Sequence, residues 1–319
     1  MSPKRIILFP PAKVNLGLQV LAPRPDGYHE VQTIYQMIDL KDHLTLEARP
    51  QGIELVCDHP GLSMPTDNLA YRAAQLLAER AQVTVGARIT LEKQIPLGAG
   101  LGGGSSNAAA ALWGLNRLWE VDLDQPALLE LAGRLGSDVP FFLFAPRSYA
   151  TGRGELLERL PSSHQLWWVL LYPNFPISTA WAYAAYDQFY RATLPGLESD
   201  EGVPWQMADS RPQEGAREMA TLRTLLEGGR EAVVGPHLWN SLEAPVGAIY
   251  PAIFEMKRAL LAQGATGTLM SGSGSTVFGL FPSRSEAEAA QRALSQERDW
   301  SCFSGGTILD LGEVYWSER

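Results

Sequence analysis

Apolar and polar residues alternate along much of the first hundred positions, the period of two that half-buried strands require. Residues 5–9 (RIILF) open the series. After the Pro10–Pro11 break, KVNLGLQVL alternates through Val14, Leu16, Leu18 and Val20, predicting a strand whose odd positions turn to a polar face. Further alternation at 43–49, 53–57 and 87–92 predicts three more strands. Between the second and third strands, RPDGYHEV carries Pro-Asp-Gly turn chemistry, so a hairpin should present Tyr28 and His29 near its tip. The period then changes: Thr66-Asp67-Asn68 caps a helix whose apolar face runs through Leu69, Ala73, Leu76 and Leu77. Strands and helices in this order describe an α+β fold, not a strict βαβ alternation.

The second half is similar in kind. The pattern predicts strands at 166–172, 275–281 and near 307–315, with helices near 178–190, 251–263 and 284–296. The loop MSGSGST (270–276) should connect a helix to a strand. A polar run from Arg191 to Ala216, with Pro195, Pro204 and Pro212, predicts an exposed loop. At 319 residues the chain has room for two domains. The polar, turn-rich segment GRGELLERLPSSHQ puts the boundary near 155–165, giving domains 1–160 and 161–319.

Charge narrows the functions open to such a fold. Lys plus Arg total 26 against 35 Asp plus Glu, a formal net charge of −9. That argues against a general nucleic-acid binder, which needs a basic face to displace counterions. An anionic ligand must therefore be held by a local device, not by the field of the whole molecule. Cys57 and Cys302 lie far apart, which excludes a disulfide framework and fits a reducing cytoplasm. The five histidines show no HExxH spacing. No segment has the charged and apolar parts of a secretory signal at the N-terminus. One uncharged stretch, Leu166 to Tyr186, is long enough to test as a membrane span, but Pro173, Asn174 and Pro176 break it. No membrane association is expected.

The local device is IPLGAGLGGGSSNAAAALWGLNRLW, residues 95–119. Gly98, Gly100, Gly102, Gly103 and Gly104 crowd one loop, and Ser105-Ser106-Asn107 opens an Ala-rich helix. Glycines let backbone N–H groups converge on a ligand, and a helix start adds unpaired donors and a positive dipole end. This combination suits a nucleotide phosphate. It is not a Walker A sequence, because no Lys-Ser/Thr follows the glycines. Gly98, Gly100 and Gly103 match GxGxxG with Asp122 beyond, but the preceding ARITLEKQIP is charged and ends in proline. Asp124 has the simpler task of capping the helix PALLELAGRL. A helix entry that served packing alone would need two or three glycines, not five.

Other candidates are individually open. Lys13, alone on a strand, reads as a solvated face residue. Asp138, beside Val139-Pro140 and FFLF, is either a turn cap or an acid held in a partly dry place. Tyr28 and His29 would ordinarily be exposed loop residues.

Together these segments resemble the GHMP kinase superfamily, which includes galactokinase, homoserine kinase and mevalonate kinase. The resemblance rests on PAKVNLGL, IPLGAGLGGGSSNAAAAL, GSDVPFF and MSGSGSTVFGLF and spans nearly the whole chain. RPDGYHEVQTIYQ and DNLAYRAA narrow it to the branch whose substrate is a cytidine-diphospho sugar alcohol of non-mevalonate isoprenoid synthesis. Only the acidic 191–216 segment departs from the pattern.

The resemblance implies a ribosomal protein S5 domain 2-like N-terminal domain, a ferredoxin-like C-terminal domain, and a site between them. It implies ATP with Mg²⁺, phosphoryl transfer to a 2-hydroxyl, and a small-molecule partner. ATP phosphates should lie along Pro96, Leu97, Gly98, Ala99, Gly100, Leu101, Gly102, Gly103, Gly104, Ser105 and Ser106. Lys93 and Asn68 should stand near the nucleoside end. Asp138 matches the family's catalytic aspartate and Lys13 its catalytic lysine. Asn15, Tyr28 and His29 match positions in the cytidine pocket, and Tyr183 falls where an aromatic stacks on cytosine. Alternatives are a kinase for another small alcohol, a non-catalytic sensor, and a dinucleotide oxidoreductase. The presence of both Lys13 and Asp138 weighs against the sensor, since a binder has no need of the base.

Overall fold

The computed structural model describes residues 5–59, 62, 65–191, 212–296 and 299–314. The first half runs β1 (Arg5–Leu8), β2 (Pro11–Pro23), β3 (His29–Lys41), β4 (His43–Arg49), β5 (Ile53–Cys57), α1 (Leu69–Ala81) and β6 (Gly86–Glu92). It continues with α2 (Gly103–Leu118), α3 (Gln125–Leu135), α4 (Phe141–Phe144), β7 (Arg147–Thr151) and β8 (Leu156–Arg159). The second half comprises β9 (Trp167–Tyr172), α5 (Thr179–Arg191), α6 (Pro212–Glu227), β10 (Trp239–Asn240), α7 (Glu243–Ile249) and α8 (Ala252–Ala262). β11 (Gly267–Met270), β12 (Val277–Phe281), α9 (Arg284–Leu294) and β13 (Ser301–Gly306) complete it.

The strands form three sheets with orders β1-β4-β6-β5, β10-β2-β3-β7-β8 and β11-β12-β9-β13. Pairing is antiparallel except for β5 with β6 and β10 with β2. Under the first sheet, Leu44, Leu46, Ile89 and Leu91 pack against α1 and the buried alanines 108–111 of α2. Those alanines bring helix backbone close to sheet, and at Gly114 a Cβ would stand only 2.4 Å from Leu46. β9 reads WWVLLY because both its faces are covered. Trp168 and Leu170 join the core shared with β2, β3 and α6, while Val169 and Leu171 join a second core under α7, α8 and α9.

Local chemistry sets the helix starts. Asn68 caps α1, its side chain accepting from the Ala70 amide, and Asp124 caps α3 by accepting from the Ala127 amide. The start of α2 carries no side-chain cap.

Four sequence expectations are corrected. β2 is not half-buried: every residue from Pro11 to Val20 is buried. The helix α6 covers part of one face, where Gly17 meets Met219 and Leu222, and the second half closes over the rest. The loop 270–276 joins two antiparallel strands, β11 and β12, not a helix and a strand. The last strand is SCFSGG at 301–306, paired to β9, not 307–315. The apolar ILDL that suggested it crosses back, placing Ile308 in the first-half core with its amide on the Met37 carbonyl at 3.0 Å. The polar run is helical from Pro212 onward, as the first turn of α6; the rest of it, 192–211, lies outside the described residues.

The halves are tied by a buried ionic cluster. Arg147 of β7 donates to Gln36 Oε1 at 2.6 Å, the Pro161 carbonyl at 2.6 Å and Glu231 Oε1 at 3.0 Å. Glu231 also accepts from the amides of Ser163 and His164. Both side chains are inaccessible to solvent, so removing one strands the other's charge in a dry place. Glu231→Ala is therefore expected to destabilise the fold by about 3–5 kcal/mol, the usual loss on breaking a buried pair. Urea unfolding followed by tryptophan fluorescence measures this, and a change below about 1 kcal/mol would deny the pair its role.

Candidate active site

The residues Pro96 to Gly102 leave β6 and enter α2 as an open loop. Gly98, Gly100 and Gly102 take φ of +59°, +76° and +69°, alternating with Ala99 and Leu101. Alternation of left- and right-handed residues turns successive amides toward one point and forms an anion nest. The loop's carbonyls are occupied elsewhere. Gly98 accepts from the Ile177 amide, Ala99 from Thr276, Gly100 from the Ser271 hydroxyl and Leu101 from the Lys13 amide. Its negative ends thus point into protein, and its positive ends, together with the uncapped start of α2, face a cleft.

Packing also explains part of the glycine crowding. A Cβ on Gly100 would sit 2.0 Å from the Ser271 carbonyl, and one on Gly103 would sit 2.9 Å from Ile95 Cγ2. Gly104 has room, with Leu69 at 3.6 Å. Five glycines in one loop therefore answer both close packing and ligand approach.

The cleft has a volume of about 820 Å³ and lies between the β2–β3 hairpin, the glycine loop, α5 and the β11–β12 hairpin. Lys13 and Asn15 of β2 enter it. Lys13 Nζ donates to Asn15 Oδ1 at 2.5 Å and lies 3.6 Å from Asp138 Oδ2. Asn15 donates to the Thr33 hydroxyl at 2.8 Å, which donates in turn to the Gly17 carbonyl at 2.7 Å. Tyr35 donates to Asp138 Oδ1 at 3.0 Å. Lys13 is 3% exposed. That burial lowers its pKa, against the opposing pull of Asp138. Burial first, and the Asp138 charge second, push the Tyr35 hydroxyl far up, so it remains a donor. Gly272, with φ of +56°, passes close to this group: a Cβ there would lie 3.1 Å from Asn15 Oδ1 and 3.3 Å from Lys13 Nζ.

At the far end, Tyr28 follows a tight turn in which Gly27 has φ of +84° and the Tyr28 amide bonds Asp26 Oδ1 at 3.2 Å. Its ring is 54% exposed, and the Arg153 guanidinium lies 5.0 Å from its centre. His29 is 8% exposed, with Nε2 2.8 Å from Asp187 Oδ1. Its ring stacks on Tyr183 at 5.2 Å and 27°. Burial pushes the Tyr183 hydroxyl well above its ordinary pKa.

The structure thus brings Lys13, Asn15, Tyr28, His29, Pro96 to Ser105, Asp138 and Tyr183 onto one cleft. It does not bring three other candidates to its wall. Ser106 is buried one turn into α2, Asn68 is spent on capping α1, and Lys93 forms a buried ion pair with Asp42. Sequence reasoning missed Thr33, Tyr35, Arg153, Asp187 and the Gly272–Ser273 tip. For two of them the signal was present: His29, Val31, Thr33 and Tyr35 are alternate residues of one strand and all line the cleft.

A phosphate nest beside a lysine–aspartate pair, set between two α+β halves, defines a GHMP-type kinase. The family models "GHMP kinases N terminal domain" and "GHMP kinases C terminal" match residues 68–145 and 219–298. The 4-diphosphocytidyl-2-C-methyl-D-erythritol kinase of Synechococcus sp. (strain JA-3-3Ab) is 43% identical over 284 residues, 89% of this chain and 87% of that protein. The protein of the same name from Citrifermentans bemidjiense is 40% identical over 306 residues, 96% of this chain and 100% of its own. A crystal structure of 4-(cytidine 5'-diphospho)-2C-methyl-D-erythritol kinase, 36% identical, superposes with a TM-score of 0.73 and covers 94% of this chain and 98% of its own. Homoserine kinase from Cytophaga hutchinsonii shares the fold, with a TM-score of 0.73 at 18% identity over 98% of this chain and 96% of its own. The chain belongs to the 4-diphosphocytidyl-2-C-methyl-D-erythritol kinase family. It is an ATP-dependent small-molecule kinase. Among the described residues no helix is long and apolar enough to cross a membrane.

Proposed function

We propose that the cleft transfers the γ-phosphoryl group of ATP to the 2-hydroxyl of 4-diphosphocytidyl-2-C-methyl-D-erythritol, a step of non-mevalonate isoprenoid synthesis in the cytoplasm. The observation that carries this reading is the order of groups along one cleft: phosphate nest, then Lys13 and Asp138, then the aromatic and histidine end. Phosphoryl transfer asks mainly for positioning and charge neutralisation. Asp138 accepts the proton of the attacking hydroxyl. Tyr35 and Lys13 each hold one of its oxygens and keep it ionised and aimed. Lys13, drained of water, also stabilises negative charge on the transferred group. Asn15 and Thr33 fix the ammonium's position.

Mg²⁺ fits such a site as an ion carried on the phosphates. Among the described residues no three or more His, Cys, Asp or Glu gather to hold a metal. This ion commonly takes phosphate oxygens, waters and one or two protein oxygens. The Ser105 hydroxyl and the Asp138 carboxylate are the protein oxygens facing that end of the cleft. When bound, it neutralises charge on the β- and γ-phosphates.

Coupled ADP release tests the reading with a panel of alcohols: the cytidine-diphospho substrate, homoserine, mevalonate and galactose. Turnover should be confined to the first. Tyr28 supplies an exposed ring at the pocket's edge, so Tyr28→Ala should weaken that substrate by about 1–3 kcal/mol, the range for one base–aromatic stack. The KM for ATP should not change. Efficient turnover of a bare alcohol, or damage to ATP binding in Tyr28→Ala, would overturn the assignment.

A further inference from the structure

His29 and Asp187 come from opposite halves of the chain, yet they meet inside the cleft at 2.8 Å. Asp187 stands one turn after Tyr183 on α5, so residues four apart present the aromatic face and the carboxylate on the same helix side. The stack of Tyr183 on His29 leaves the imidazole little freedom to turn. The edge of Tyr186 closes a further side, with ring centres 6.1 Å apart.

An ionised carboxylate offers only acceptor oxygens, so the imidazole nitrogen facing it must carry the hydrogen. In neutral imidazole the other nitrogen then has no hydrogen and is an acceptor. Resting on the function proposed above, we infer that Asp187 is a positioning residue that fixes His29 as the Nε2–H form, so that its Nδ1 selects a base carrying an amino group. Cytosine presents an exocyclic amine, a donor to which an Nδ1 lone pair is complementary. Uracil has a carbonyl oxygen in its place, and two acceptors facing each other repel. A histidine free to exchange tautomers would present a donor as readily as an acceptor and would accept either base. The selection therefore lies in the carboxylate behind the histidine, on a helix from the other half of the chain.

Two measurements separate this from a merely structural contact. The first is histidine ¹⁵N NMR of the intact protein near neutral pH, with the His29 signal assigned by its loss in His29→Gln. The wild type should show Nε2 protonated and Nδ1 unprotonated, and Asp187→Ala should show averaging of the two forms. The second compares the cytidine-diphospho substrate with its uridine counterpart in wild type, Asp187→Ala and Asp187→Glu. Asp187→Ala should raise KM for the cytidine compound about tenfold, the loss expected when one polar readout is unmade. Its KM for the uridine compound should move little, so the preference narrows. Asp187→Glu, which restores a carboxylate, should recover part of it.

A structural role alone would weaken both compounds equally and leave the preference intact, and that result would overturn the inference. So would an Nδ1-protonated His29 in the wild type. Failure of the broader reading is distinguishable, because there the wild type would turn over neither compound.

Discussion

Asp138→Asn is expected to lower kcat by ~10²–10⁴-fold, the usual share of a general base. The substitution keeps the size of the side chain and leaves an oxygen to accept from Tyr35, whose hydroxyl lies 3.0 Å from Oδ1. What it removes is the capacity to take the proton from the attacking hydroxyl. ATP is held by the amides of the glycine loop, whose hydrogen bonds with the rest of the chain do not pass through Asp138. Its affinity should therefore change little, and calorimetry with ATP alone checks this. Steady-state ADP release supplies kcat. A purified Asp138→Asn protein that turns over at near wild-type rate would remove Asp138 from the role and leave it as a turn residue before α4.

Lys13→Met should cost about 10²–10³-fold in kcat, comparable to losing one preorganised donor at a developing charge. Methionine fills nearly the same volume, so the buried position beside Phe142 and the glycine loop stays packed. The ammonium's two tasks, holding Asp138 and countering phosphoryl charge, both disappear. A pH profile separates this from simple misfolding. Burial lowers the Lys13 pKa, and Asp138 only partly restores it. The protonated form is the active one, so wild-type kcat should fall with rising pH earlier than an ordinary lysine, with a pKa near 10.4, would allow. Lys13→Arg, whose guanidinium does not titrate, should lose that alkaline limb even if slower overall. The same alkaline limb in all three proteins would show that another group titrates.

The sequence by itself determined a good deal. Period-two runs, turn residues and caps act over a few neighbours, so β4, β5, β6 and the starts of α1 and α3 were legible. The glycine loop was legible for the same reason: alternating φ signs and an uncapped helix start are properties of a local stretch. The resemblance of whole motifs supplied Lys13 and Asp138, which composition and period alone left undecided. Only tertiary structure could decide burial and pairing at a distance. β2 read as half-exposed because alternation reports chemistry, not coverage, and its polar face turned out to be buried with Lys13, Asn15 and Gln19 on it. Lys93 read as a nucleoside contact, yet it is paired with Asp42, fifty-one positions away. The last strand was misplaced because an apolar segment is equally at home in a sheet or, like Ile308, in the core of the other half. Asp187 carried no signal at all. It acquires meaning only when α5 folds against β3, because a carboxylate's effect on a histidine depends on the few ångströms between them and not on the 158 positions of chain.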